Sequence, residues 1–156
     1  MRARWLLIPL LVLAAQTVWA QVYSGKVVKV ADGDTLTLLV DRKQIKVRLL
    51  EIDAPELHQA FGQRSKQSLG EMCAGHDATV RSTGRDKYGR VLGRVDCAGV
   101  DANAEQVRRG MAWVYDRYVT DRSLYTLQNE ARATHVGLWA DPEPTAPWLY
   151  RSHHKR

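Results

Sequence analysis

Residues 22–52 read VYSGKVVKVADGDTLTLLVDRKQIKVRLLEI, a segment dominated by strand-forming side chains. It contains three runs rich in Val, Leu, Ile and Thr: residues 22–30, 35–40 and 45–52. Such runs, with loosely alternating apolar and polar positions, are typical of β-strands. The turn-forming Asp32-Gly33-Asp34 and the polar segment 41–44 separate them. The segment therefore predicts a meander of three strands joined by short turns.

The remainder of the chain predicts two more strands and three helices. The strand-like runs are residues 78–82 and 91–95. The helical patterns cover residues 63–73, 103–110 and 123–135. Five short strands with three helices predict an α+β fold, and a closed five-stranded barrel of the OB type would use all five strands.

Composition limits the class of protein. The 156 residues suffice for one ordinary domain, and 45% apolar with 26% charged residues is typical of a globular chain. Two cysteines exclude a disulfide-dense miniprotein and a cysteine-rich zinc module. The formal charge of +6 favours a polyanionic partner such as nucleic acid, anionic lipid or acidic polysaccharide.

The N-terminus has the layout of a signal peptide, residues 1–20. A short basic leader precedes the apolar residues 5–15, and Val18-Trp19-Ala20 offers small residues before a cut at Gln21. The alternative is an uncleaved membrane anchor, but the apolar run is shorter than the roughly twenty residues that span a bilayer. We expect export, to the periplasm or the medium, with no stable membrane association after cleavage.

Export changes the interpretation of Cys73 and Cys97. In an oxidising compartment an even pair of cysteines favours a disulfide. Two separate buried thiols or half of a metal site are the alternatives. No further cysteine or suitably spaced histidine supports the metal site.

The C-terminal residues 141–156 differ in composition from the rest. They contain three prolines and end in the basic run RSHHKR. We expect a surface tail or a loosely docked segment. The predicted organisation is a signal peptide at 1–20, one domain at 21–140 and this tail.

Three groups of ionisable residues fall at strand ends or in loops: residues 32–35, 48–56 and 86–90. Each group alone is typical of an ordinary turn or solvated loop. Together they supply carboxylates, which a hard divalent cation prefers, and arginines, which bind phosphate. A remaining carboxylate could orient or deprotonate water. This combination favours hydrolysis of a phosphodiester.

These stretches, in this order and spacing, resemble the staphylococcal nuclease (thermonuclease) family. They are DGDT at 32–35, RLLEIDAPE at 48–56 and DKYGR at 86–90, joined later by VRRGMA at 107–112 and GLW at 137–139. The resemblance extends over residues 22–139. It implies an OB-type barrel with three helices, a monomer, and Ca²⁺-dependent cleavage of DNA and RNA that leaves 3′-phosphates without regard to the sugar.

The resemblance also implies a metal site and a water-activating residue. Asp34 and Asp53 would be side-chain ligands of Ca²⁺, and the main-chain carbonyl of Ala54 would be a third ligand. The family often has Thr at the position of Ala54, but a carbonyl ligand does not depend on the side chain. Glu56 would act on the attacking water, either as a general base or by orienting it.

The substrate-binding residues are implied in the same way. Arg48 and Arg90 would hold the phosphate and stabilise the transition state, with Lys87 and Tyr88 lining the nucleotide site. Of the two tyrosines that could stack on a base, Tyr115 and Tyr118, we favour Tyr118.

Two other functions are compatible with this sequence. An OB-type barrel could bind nucleic acid or another polyanion without chemistry. An uncleaved leader would give a membrane-tethered nuclease. Because Asp34, Arg48, Asp53, Glu56 and Arg90 are all present, we favour an exported nuclease.

Overall fold

A computed structural model describes residues 21–154. The predicted signal peptide, residues 1–20, lies outside the described residues. The strands are β1 Gln21–Asp32, β2 Thr35–Val40, β3 Lys43–Leu49, β4 Ile52–Asp53, β5 Asp77–Arg85, β6 Val91–Cys97, β7 Val100–Asp101 and β8 Trp113–Val114. The helices are α1 Gly62–Cys73, α2 Ala102–Arg108, α3 Ser123–Ala133 and α4 Pro147–His153, with a 3-10 helix at Gly137–Ala140.

The five long strands form a closed barrel. Their order is β3-β2-β1-β5-β6, with antiparallel neighbours, and a parallel pairing of β3 with β6 closes the ring. Val47 lies opposite Val91 at this closure. The α+β fold with a five-stranded OB-type barrel, predicted from the sequence, is therefore confirmed.

The barrel interior follows from the alternation of side chains along its strands. In β6, every second residue from Val91 to Cys97 is buried. Gly93 belongs to this inward set, and a Cβ there would lie 2.5 Å from the Val80 side chain on β5. Irregular register between β1 and β2, next to Val27 and Val30, bends β1 around the barrel.

Helix α1 is fixed to the barrel by its apolar face and by a disulfide. Leu69 and Cys73 are fully buried. The disulfide joins Cys73, at the end of α1, to Cys97, at the end of β6, which confirms the predicted pairing. Among the helices of residues 21–154, none has the length and apolar character needed to span a membrane.

The C-terminal segment contains a helix that sequence analysis did not anticipate. Within residues 21–154 there are four α-helices rather than the predicted three, because α4 forms in the expected surface tail. Pro147 occupies the first turn of α4, where its missing N–H has no intrahelical partner to lose. Trp148 stacks on Tyr115 with ring centroids 5.4 Å apart, so α4 is docked on the domain.

Candidate active site

The turn between β1 and β2 places the first carboxylate. The Asp32 side chain accepts a hydrogen bond from the Asp34 amide, at 3.1 Å, which shapes the turn. From α2, the fully buried Gln106 side chain donates to the Gly33 carbonyl at 2.6 Å. A Cβ at Gly33 would lie 1.8 Å from the Ser65 hydroxyl, so only glycine fits. The turn is thus held rigidly, with Asp34 almost fully buried.

Arg48 joins two buried aspartates. Its Nε lies 3.1 Å from Asp34 Oδ1, and its Nη2 lies 3.0 Å from Asp53 Oδ1. Its Nη1 donates to the carbonyls of Leu49 and Ile52. The β2–β3 pairing sets Arg48 opposite Thr35, next to Asp34 in sequence. Strand pairing therefore fixes the backbone positions from which this ion-pair bridge forms.

Asp34 and the main chain at Ala54 are also in direct contact. The Ala54 amide donates to Asp34 Oδ2 at 2.7 Å. The pKa of Asp34 is raised to about 7, chiefly by burial, and the negative charges of Asp32 and Asp53 contribute to the rise while Arg48 opposes it. Burial therefore destabilises the ionised form of Asp34, which a bound cation would favour.

This donor set fits a hard divalent cation. Two carboxylates and a main-chain carbonyl, those of Asp34, Asp53 and Ala54, are oxygen ligands of the kind Ca²⁺ takes, with water in the other positions. Across residues 21–154, no three His, Cys, Asp or Glu side chains gather as a metal-binding group. A cation here would thus rely on main-chain and water oxygens as well as the two aspartates.

Glu56 lies at the edge of this pocket. Its amide donates to the Gln59 side chain at 3.1 Å, and its carboxylate is partly exposed. Glu56 Oε1 accepts a hydrogen bond at 2.8 Å from Nη1 of Arg151, on α4. Arg151 also contacts both carboxylate oxygens of Asp53. The structure thus brings Glu56 next to Asp53 through a residue that sequence analysis missed.

The loop between β5 and β6 presents Arg90. Asp86 accepts from the amides of Tyr88 and Arg90, and its Oδ2 lies 2.7 Å from Arg90 Nε. Lys87 and Arg90 both lie over the ring of Tyr88, which is 72% exposed. The loop therefore forms a compact basic and aromatic surface.

Arg90 and Arg48 lie on the same face of the sheet, at the place where β3 and β6 close the barrel. In the parallel pairing, Arg48 is opposite Leu92, two residues beyond Arg90. Because side chains alternate along strands, Arg48, Lys46 and Arg90 belong to one face. Next to Arg90 is a cavity of about 540 Å³, lined by Thr37, Lys43, Gln44, Ile45, Lys46, Arg85, Tyr88, Gly89 and Arg90. Four of its nine lining residues are basic.

The aromatic segment after α2 is attached to Asp53 by strand pairing. Trp113 on β8 is opposite Asp53 on β4. Tyr118 is 55% exposed and packs edge-on against Tyr115, with centroids 5.1 Å apart. Tyr115 is in turn covered by Trp148. Arg117 lies over the Tyr118 ring at 5.5 Å from its centroid, and Tyr118 is the more exposed of the two tyrosines.

On this OB-type barrel, two buried aspartates supply possible cation ligands, and the arginines beside them are side chains of the kind that bind phosphate. The profile of the family described as staphylococcal nuclease homologue matches residues 46–141. The chain belongs to the staphylococcal nuclease family, which makes it a hydrolase of the nuclease type, as the sequence motifs indicated.

Three relatives are similar over most of the chain. An "uncharacterized endonuclease" of Escherichia coli is 46% identical over 128 residues, 81% of this chain and 84% of the relative. A "micrococcal nuclease" of Shigella flexneri is 41% identical over 144 residues, 85% and 82% respectively. An "uncharacterized endonuclease" of Haemophilus influenzae is 44% identical over 131 residues, 83% and 74% respectively.

Proposed function

We propose that this protein is an exported, Ca²⁺-dependent endonuclease that hydrolyses both DNA and RNA and leaves 3′-phosphates. It would act as a monomer, free of the membrane once its leader is removed. The observation that carries the proposal is the buried pair of Asp34 and Asp53, bridged by Arg48 and adjacent to Glu56. Family membership and the names of the relatives support it.

The first role is to hold the cation. Asp34, Asp53 and the carbonyl of Ala54 would bind Ca²⁺, whose charge would offset the burial and the charge repulsion that raise the pKa of Asp34. A bound cation offsets negative charge on the phosphoryl oxygens and makes a bound water more acidic. Glu56, next to Asp53, orients that water or accepts its proton.

The two arginines have different capacities for phosphate. Arg48 uses its Nε, its Nη1 and one hydrogen of Nη2 within the protein, so one N–H is left for substrate. Among the described residues, Arg90 bonds through Nε to Asp86, and its two terminal nitrogens have no hydrogen-bond partner. We therefore assign Arg90 as the main phosphate clamp, which stabilises charge that develops in the transition state.

The groove beside Arg90 would accept the nucleic-acid strand. Its lysines and arginines suit the phosphate backbone, and the exposed rings of Tyr88 and Tyr118 suit stacking on bases. Contacts to phosphate and to base faces do not read the sugar. This is the physical reason to expect cleavage of both DNA and RNA.

The first experiment is digestion of single-stranded DNA and RNA by the exported, purified protein. We expect cleavage with Ca²⁺, none with a chelator, and 3′-phosphate ends by product mass. The variant Glu56→Gln should lose activity while it remains folded. Activity that persists in chelator, or an unaffected Glu56→Gln, would contradict the proposal.

One observation favours a second candidate, a non-catalytic module that binds nucleic acid. Arg151 pairs with both Asp53 and Glu56, so the carboxylates are partly neutralised. Such a site could bind phosphate without chemistry. This candidate requires salt-dependent binding and no product with any divalent cation.

Export itself has a separate test. The mass of the protein recovered outside the cytoplasm should correspond to a chain that begins at Gln21. A mass that includes residues 1–20 would instead favour the tethered form.

A further inference from the structure

Arg151 is the residue of α4 that reaches into the active site. Its Nη2 lies 2.8 Å from Asp53 Oδ2, and its Nη1 lies 3.2 Å from Asp53 Oδ1 and 2.8 Å from Glu56 Oε1. Asp53 is buried, while Glu56 is partly exposed. The Arg151 guanidinium thus connects the partly exposed side chain of Glu56 to the buried side chain of Asp53.

The helix that carries Arg151 is anchored to the domain. Trp148 lies parallel to the ring of Tyr115 and edge-on to Trp113, at centroid distances of 5.4 and 5.7 Å. Ala146 and Pro147 are buried at the start of the helix. These contacts are apolar and do not depend on the charges in the site, so α4 holds its place without the ion pairs.

A second connection links α4 to Glu56 independently. The Gln59 side chain accepts a hydrogen bond from the Glu56 amide at 3.1 Å and donates to the Thr145 carbonyl at 2.6 Å. Gln59 therefore fixes the backbone of Glu56 relative to the segment that leads into α4. Arg151 fixes the carboxylate of the same residue.

We propose that Arg151 is a positioning residue that holds the Glu56 carboxylate against Asp53. This inference rests on the proposed nuclease function for its role in turnover. A glutamate with a partly exposed side chain has several rotamers available in water. The ion pair selects the one that holds the carboxylate beside Asp53, where the attacking water would bind. Outer contacts of this kind change activity by about 10- to 100-fold when they are lost.

The competing interpretation is an inhibitory plug, in which Arg151 blocks Asp53 until it is displaced. The anchoring of α4 through Trp148 favours a permanent contact over a displaceable one. The two interpretations predict opposite effects. Loss of Arg151 slows a positioned enzyme and speeds an inhibited one.

The kinetic test compares Arg151→Ala, Glu56→Gln and the double variant. We expect Arg151→Ala to lower kcat by about 10- to 100-fold with little change in KM, because Arg48 and Arg90 bind the substrate. Arg151→Lys should recover part of this loss. The double variant should be no slower than Glu56→Gln alone, since Arg151 acts through Glu56. The control Arg64→Ala removes an exposed arginine of α1 and should leave kcat unchanged.

A second measurement does not depend on nuclease activity. Urea unfolding at low salt of the wild-type protein, Arg151→Ala, Glu56→Gln and the double variant reports whether Arg151 and Glu56 are coupled. We expect the second substitution to shift the midpoint less in the presence of the first than on its own. If the wild-type protein cleaves nothing, the proposed function fails, and this cycle still decides the contact. A faster Arg151→Ala enzyme, additive kinetic losses or uncoupled midpoints would overturn the proposal.

Discussion

Two clusters of arginine and carboxylate side chains lie on this barrel, and they differ in how deeply their carboxylates are buried. In the Arg48 cluster, Arg48 bridges Asp34 and Asp53 in a buried pocket, and the pKa of Asp34 is raised by burial. In the Arg94 cluster, Arg94 pairs with the more exposed acidic side chains Glu51, Asp101 and Asp121.

Burial dominates the pKa of Asp34, whereas hydrogen bonds dominate the pKa of Asp121. Asp121 accepts from the Ser123 hydroxyl and from Arg94, which hold the pKa of that carboxyl below its usual range. Glu51 accepts from the Thr120 amide and hydroxyl and from the Asp121 amide. A satisfied cluster of this kind stabilises the fold. Asp34 in the Arg48 cluster is instead almost fully buried, so its ionised form would be stabilised by a bound cation.

The largest expected difference between the clusters is in catalysis. Arg48→Lys keeps the charge but removes the planar fork that spans Asp34 and Asp53, so we expect turnover to fall by about 10²- to 10⁴-fold. Arg94→Lys, the matched change in the other cluster, should leave turnover within about three-fold. Initial rates on DNA would check both. Equal losses in the two variants would remove the functional distinction.

The second prediction concerns the pH dependence of the free energy of unfolding, which has opposite signs in the two clusters. The pKa of Asp34 is about 7 in the folded protein, against 3.8 ordinarily, so the folded state binds more protons between these values. The free energy of unfolding in chelator should therefore fall as pH rises through this window, by up to about 4 kcal/mol. For Asp121, whose folded pKa is lowered, the contribution is present above its unfolded pKa and is lost as pH falls.

The measurement is urea unfolding from about pH 2 to pH 8 without metal, which covers both windows. Asp34→Asn should flatten the decline toward high pH, and Asp121→Asn should flatten the loss toward low pH. A decline that persists in Asp34→Asn would mean that another group causes it.

A third prediction concerns the removal of the arginine from the Arg94 cluster. Arg94→Ala leaves three carboxylates without their shared partner, and we expect a loss of about 2 kcal/mol in the free energy of unfolding. The specific activity of the folded fraction should be unchanged. Denaturant unfolding and initial rates normalised to the folded fraction measure these two quantities. A large loss of specific activity would link the Arg94 cluster to the reaction.

The smallest expected effect is stabilisation by Ca²⁺. Ligand at ten times its Kd should add about 1.4 kcal/mol to the free energy of unfolding and raise Tm. Arg94→Ala should keep this shift, and Asp34→Asn should lose it. Calorimetry with and without chelator measures the shift. Stabilisation that survives in Asp34→Asn would place the cation elsewhere.

Local patterns predicted most of the fold. The expected strand at 35–40 is β2 without change, and the expected helix at 63–73 differs from α1 by one residue. Alternation and turn residues act over a few positions, so the sequence displays them directly. The two-residue strands β4 and β8 are too short to produce a period, and their pairing depends on the tertiary fold.

The residues of the candidate site likewise divide into those that local motifs predict and one whose position depends on the tertiary fold. Asp34, Arg48, Asp53 and Arg90 fall within short motifs, and strand pairing brings the first three together and sets Arg90 on the same face. Arg151 does not lie in such a motif, and it is 95 residues away from Glu56 in the sequence. Its place depends on the docking of Trp148, which looked in the sequence like part of a proline-containing tail.

The closure of the barrel has a consequence for the order of folding. Arg48 lies on β3 and Arg90 just before β6, on opposite sides of the parallel seam that joins Val47 to Val91. Contacts so distant in the chain carry a large loop-closure entropy and form late. The meander can therefore assemble while the two arginines remain apart. Recovery of nuclease activity on refolding should follow seam closure, seen as hydrogen-exchange protection at these strands, rather than the earlier gain of secondary structure.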